Sequence, residues 1–123
     1  MTASVFDEPK ALLGAVGRAL GPTDWIEITQ ERVNQFADAT EDHQWIHVDV
    51  ERAKSGPFGA PIAHGFLTMS LSAHFLSQLC EVHGISMGIN YGINKARFIN
   101  PVKVPGRLRT GSSPSSTWMC SAL

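Results

Sequence analysis

The stretch IAHGFLTMSLSAHFLSQLCEVHG, residues 62–84, decides the fold. It contains no proline, and Gly84 stops it. Phe66, Leu67, Met69, Leu71, Phe75, Leu76 and Leu79 leave no broad polar stripe, and Thr68, Ser70 and Ser72 are its few polar interior residues. A helix apolar nearly all round is buried in its own domain. The pattern therefore predicts one long central helix that the rest of the chain must wrap. His64, Ser70, His74 and Gln78 interrupt the apolar run, which excludes a membrane span.

The bulk numbers narrow the remainder. A chain of 123 residues is enough for one domain and too short for two. At 43% hydrophobic and 17% charged it can form a packed core. A formal net charge of −1 with no basic run gives no cationic field, so nucleic acid is not an expected partner. Cys80 and Cys120 do not make a disulfide framework, and Cys80 reads as a small core residue. The opening MTASVFDEPK lacks the order of a signal peptide. A reducing cytoplasm is the expected compartment.

Working outward, residues 7–20 read as a short amphipathic helix capped by Asp7, with Pro9 in its first turn and Gly21-Pro22 ending it. DWIEIT, residues 24–29, is a brief strand candidate. Thr29 opens a second helix, with Glu31 favouring its dipole and Val33, Phe36 and Ala37 on one face. Asp49 can cap a further turn, and GPFGAP, residues 56–61, reads as a loop. Beyond Ile85, Met87, Ile89, Tyr91 and Ile93 alternate, which predicts a strand despite Gly88, Asn90 and Gly92. RLRT, residues 107–110, starts another. From Gly111 the periodicity stops, and the serine-rich residues 111–123 are expected to be a disordered tail beyond a single domain of residues 1–110.

The chemistry concentrates in ATEDHQWIHVD, residues 39–49. Trp45 and Ile46 can plug into the core and fix the segment, leaving Asp42 and His47 facing one cavity. An Asp/His pair at a half-buried site can move a proton to or from water near neutral pH. The plain alternative is a salt-bridged loop pair. His64-Gly65 opens the long helix, where unpaired N–H groups suit a developing oxyanion. A plain helix start with glycine in its first turn is the bland reading there. His43 and His47, four apart, raise a zinc site, but the segment between them is not helical by composition and no cysteine pair accompanies it. His74 and His83 read as structural or exposed. A Ser-His-Asp hydrolase lacks its G-x-S-x-G elbow.

FADATEDHQWIHVD, then GAPIAHGFLTMSL, then INYGINKARFINPV resemble, in order and spacing, the MaoC-like dehydratases, the (R)-specific enoyl-CoA hydratases. The resemblance covers roughly residues 23–110. It implies an α+β hotdog fold, a long helix wrapped by an antiparallel sheet, in a homodimer acting on acyl-CoA thioesters without metal or other cofactor. It implies that Asp42 and His47 activate a water and that the Gly65 N–H binds the thioester oxygen. Substrate contacts are expected from Gln44, His64, Asn94 and Arg97, the last two in the third matching stretch. Glu41 stands where the family commonly has glycine, Gln44-Trp45 replace its Asn-Pro, and Ala73 stands where some members have serine. The family continues past RLRT with further long strands; their absence here reads as a cut chain with an incomplete sheet. A non-catalytic acyl-thioester binding or dimerisation module and a hotdog thioesterase are the alternatives.

Overall fold

Two segments fold where local chemistry commits them. Helix α1, Gln30–Thr40, starts at Thr29, whose side chain accepts from the Arg32 N–H, and ends at Glu41 in the left-handed region at φ 63°. Helix α3, Val50–Lys54, starts at Asp49, whose carboxylate accepts from the Arg52 N–H. Between them Trp45–Val48 form a single turn, α2, where composition suggested loop or strand.

The computed structural model describes residues 3–112 and 118–122. They divide into two compact units. One comprises Trp25–Leu71 and Phe98–Leu108, with the chain's last residues. In it β2, Ile26–Ile28, pairs antiparallel with the start of β4, Gly106–Ser112, in the register Ile26↔Leu108 and Ile28↔Gly106. Ile28, Val33, Ala37, Ala53 and Leu108 form its buried centre, with Val102 and Val104 beside them. A second pairing matters more for function. The Ala63 N–H donates to Val102 C=O and the Val104 N–H to Pro61 C=O, both at 2.8 Å, around an antiparallel bridge of Ile62 with Lys103. Residues 61–63 are thereby held by the backbone just ahead of His64.

The other unit is assembled from Met1–Asp24, Ser72–Arg97 and Arg109–Cys120. Strand β1, Ser4–Phe6, runs parallel to β3, Cys80–Val82, with Phe6, Phe75 and Leu79 buried around them. Thr23 and Thr110 exchange two bonds: the Thr23 N–H donates to Thr110 C=O at 2.8 Å, and the Thr110 N–H donates to the Thr23 hydroxyl at 3.0 Å. Strand β5, Trp118–Ala122, lies beside β4. Part of the serine-rich tail is thus strand, while residues 113–117 and 123 lie outside the described residues.

The structure departs from the sequence pattern in three places. The central helix is two consecutive segments, α4 (Gly65–Ser70) and α5 (Ser72–Leu79), and it gives way to β3 at Cys80 rather than reaching Gly84. The Ser70 hydroxyl donates to Phe66 C=O at 2.6 Å, a back-bond of the kind that competes with the helical ladder and bends it. Leu67, Phe75 and Leu79 are buried, but Phe66 and Leu76 are exposed, so the helix is not covered all round. Residues 7–20 form no amphipathic α-helix. Pro9–Ala15 is a 3₁₀ helix with Glu8 at its N-cap and no buried residue. Gly17 takes φ 85°, which a right-handed helix cannot include, and Gly14 weakens the segment further. Finally, residues 85–99 form no strand among the described residues, although Met87, Ile89, Tyr91 and Ile93 alternate. All four are exposed. An extended segment without a ladder partner gains nothing from its β-propensity.

Candidate functional site

The site is built in the unit that holds α1 to α4. Glu41 ends α1 in a left-handed conformation that turns the chain sharply into Asp42. This is the position at which the resemblance expects glycine, the residue that adopts such angles without strain. The Asp42 carboxylate accepts a long bond from the Gln44 N–H at 3.4 Å and lies 4.0 Å from His64 Nε2. Gln44 is the N-cap of α2 and is exposed; its carbonyl receives the His47 N–H at 3.0 Å.

His47 is buried at the end of that turn. Its Nδ1 lies 2.6 Å from Ile62 C=O, a partner that only accepts, so Nδ1 carries the proton. In the neutral ring the Nε2 lone pair is then the basic atom. Burial holds the His47 pKa below the ordinary imidazole value, and His64 adds to this, against the opposing effects of the Ile62 carbonyl and the Asp42 carboxylate. His47 is therefore neutral and able to accept a proton at neutral pH.

His64 is buried too, and its ring stacks on His47 with centroids 3.8 Å apart and planes 25° from parallel. Phe36 covers it at a centroid distance of 4.9 Å. Its Nε2 donates to Asp42 C=O at 2.9 Å, and its Nδ1 is buried with no partner among the described residues. A carboxylate oxygen of Asp42 and one ring nitrogen each of His47 and His64 lie within 4.8 Å of one another, a set of atoms that suits a divalent metal by chemistry. The stack works against it. Imidazole lone pairs lie in the ring plane, and two nearly parallel rings aim them side by side rather than at one point.

Gly65 begins α4, and the Phe98 ring fills the space a side chain would need; a Cβ there would meet Phe98 Cδ2 at 2.5 Å. Phe66 meets the same ring edge-on at 5.9 Å. Of the other expected substrate contacts, Asn94 and Arg97 belong to the other unit, exposed in the segment without strand. His43 pairs with Asp38 at 2.8 Å on the surface rather than joining His47. Trp45 and Ile46 are half-buried; Arg52 sits 4.2 Å over the Trp45 ring, and Ile46 C=O accepts the Ile62 N–H at 3.0 Å.

One contributor had no sequence signal. Gln30, the first residue of α1, donates from Nε2 to His47 C=O at 2.7 Å. Its partner is a backbone atom, and a backbone atom leaves no trace in a residue pattern. A cavity of about 300 Å³ lined by Glu27, Ile28, Thr29, Pro105, Gly106 and Arg107 lies in the same unit but includes none of Asp42, His47 and His64. Acid–base geometry marks the site better than that volume does.

With this geometry in place, likeness to known proteins becomes informative. A family model described as MaoC like domain matches residues 12–115. The chain is 54% identical over 108 residues to the 3-hydroxyacyl-thioester dehydratase Z of Mycobacterium tuberculosis, covering 88% of this chain and 72% of that protein. A solved structure of a monoamine oxidase regulatory protein from Archaeoglobus fulgius superposes at TM-score 0.69 with 25% identity, covering 92% of this chain and 73% of that one. The R-hydratase PhaJ1 from Pseudomonas aeruginosa matches at TM-score 0.58 and 19% identity, over 87% of this chain and 77% of that one, a likeness of fold. The α+β hotdog class read from the sequence agrees with these neighbours. No helix among the described residues is long and apolar enough to cross a membrane.

Proposed function

Because this chain belongs to the MaoC-like domain family, we propose that it is a hydro-lyase that adds water reversibly to trans-2-enoyl-CoA thioesters, giving (R)-3-hydroxyacyl-CoA. The observation that carries this reading is the buried, neutral His47, its Nδ1 tied to Ile62 C=O, beside the Asp42 carboxylate. In this mechanism a water sits between Asp42 and His47 Nε2. As its oxygen bonds to the β-carbon, its proton passes to the base and the double-bond electrons move toward the thioester oxygen; as the enolate collapses, the protonated base gives that proton to the α-carbon and is regenerated. Net, OH is added at the β-carbon and H at the α-carbon. A positioned base contributes roughly 10² to 10⁴ in rate.

Enolate charge builds on the thioester oxygen, and a well-aimed donor there contributes about 3 to 4 kcal/mol. The Gly65 N–H is assigned that role, which requires the Phe98 ring lying against Gly65 to share or yield its place. Gln44, Asn94 and Arg97 remain proposed substrate contacts, and His64 is assigned to holding Asp42 and His47 in place. Catalysis without a metal suits the stacked imidazoles. A homodimer would give the exposed Met87, Ile89, Tyr91 and Ile93 a surface to cover. A reducing cytoplasm suits the free Cys80 thiol.

The test follows loss of the enoyl-CoA absorbance with the wild type, Asp42→Asn and His47→Asn, while a thiol reagent monitors free CoA. Hydration that collapses in both variants supports the reading. Equal rates in wild type and variants would sink it. Release of free CoA would make the same base-held water a thioesterase nucleophile, and acyl-CoA binding without turnover would leave a binding module.

A further inference from the structure

Gln30 makes a connection that the proposed chemistry does not by itself require. It projects from the first turn of α1 and spends both Nε2 hydrogens, one on His47 C=O at 2.7 Å and one on Asn34 Oδ1 at 2.9 Å. The His47 carbonyl only accepts, so the amide has one sensible orientation; flipping it would set Oε1 against that carbonyl. That orientation leaves Oε1 buried and without a partner among the described residues.

The place it holds is a weak point. Helix α2 has four residues, too few for its last carbonyls to find partners inside it. Gln44 C=O takes the His47 and Val48 N–H groups, and Trp45 C=O takes the Asp49 N–H. His47 C=O has Gln30 instead. Rotation of that peptide would swing the His47 side chain about its own Cα. The imidazole is held at its other end by Ile62 C=O and on its face by His64. Without the clamp on the main chain, those two contacts must hold the ring against a backbone free to turn.

We propose that Gln30 is a positioning residue that fixes the His47 main chain and thereby aims Nε2 at the reacting water. The proposal rests on the reading of His47 as the base. A misplacement of about 1 Å in such a constellation costs on the order of 10²-fold in rate.

The experiment compares wild type, Gln30→Leu, Gln30→Lys and a core control, Val33→Ala, in enoyl-CoA hydration, thermal melting and imidazole NMR. Gln30→Leu keeps the size of the side chain and removes the donor; Gln30→Lys restores a donor at similar reach. The expected result for Gln30→Leu is a kcat lower by roughly 10- to 100-fold with KM within about twofold. Its His47 Nδ1–H resonance broadens, and Gln30→Lys recovers most of the rate. The control, even at equal loss of melting temperature, keeps kcat near wild type. A Gln30→Leu enzyme with wild-type kcat, or one no slower than a control of equal stability, overturns the proposal. If the wild type hydrates no enoyl thioester, the catalytic reading has failed instead. The resonance then decides alone: an unchanged Nδ1–H signal in Gln30→Leu removes Gln30 from any positioning role.

Discussion

His47 and His64 lie face to face, 3.8 Å between ring centroids, both shut away from solvent. Two imidazolium ions could not share that arrangement, because like charges at this distance in a buried setting repel strongly. The stack therefore favours at least one neutral ring, and burial holds the His47 pKa below its ordinary value.

A pH dependence follows for activity. His47 must be neutral to accept a proton, and its pKa lies below the ordinary 6.5. The rate constant kcat/KM should rise with pH, with a midpoint on the acid side of 6.5, and be flat above it. A profile of kcat/KM from acid to neutral pH checks this. A midpoint above the ordinary imidazole value would contradict the burial argument.

Stability should carry the same signature. The unfolded chain takes up a proton at His47 near pH 6.5, where the folded chain still excludes it. The stability linked to His47 is complete above that pH and is lost as pH falls toward the depressed folded value. The slope cannot exceed about 1.4 kcal/mol per pH unit for one proton. Melting of wild type and His47→Gln between pH 7.5 and 5.5, roughly one unit either side of the free imidazole value, isolates it: the two curves should converge on acidification.

Asp42→Asn separates chemistry from scaffold. The side chain is half-exposed, and the Asp42 carbonyl that holds His64 survives the substitution. The expected loss in kcat is roughly 10² to 10⁴, with stability changed by no more than about 0.5 kcal/mol. Steady-state kinetics and a denaturant titration read the two.

Glu41→Gly should stabilise. A residue with a side chain pays about 1–2 kcal/mol in the left-handed region, whereas glycine gives back roughly 0.5–1 through its freer unfolded chain. The net expectation at φ 63° is a gain of about 0.5–1 kcal/mol, read from the urea midpoint.

Gly65→Ala brings a Cβ to 2.5 Å from the Phe98 ring, so ring or helix start must move. A loss of about 1–3 kcal/mol is expected, and adding Phe98→Ala should recover most of it. Activity should stay low in the double variant if the Gly65 backbone meets the substrate. Full recovery of turnover would mean that the glycine serves the ring alone.

What the residues disclosed depended on how local the cause was. The caps at Thr29 and Asp49 act within one turn, and both are visible as polar side chains ahead of helical spacing. The pairing of Asp42 with His47 was legible in the short segment they share, whereas His64 joined them only through the resemblance, because no spacing rule brings residue 64 to residue 42. The break near Leu71 was missed: a hydropathy count sees Ser70 as a minor polar residue, not as a hydroxyl back-bonded to Phe66. The alternation after Ile85 is real, but a period of two specifies a face and not the neighbour that must complete the ladder. Gln30 was invisible because it recognises a carbonyl that any residue at 47 would present.

The bonds exchanged by Thr23 and Thr110 join positions 87 residues apart. A nascent chain cannot make them until residue 110 has left the ribosome, and the unit they close draws on three separate stretches of sequence. Most of the acid–base cluster, by contrast, lies between residues 30 and 65. The helices around Asp42 and His47 can gather early, but residues 61–63 and strand β2 wait for residues 102–108, so each unit finishes only with a non-local closure made late in synthesis.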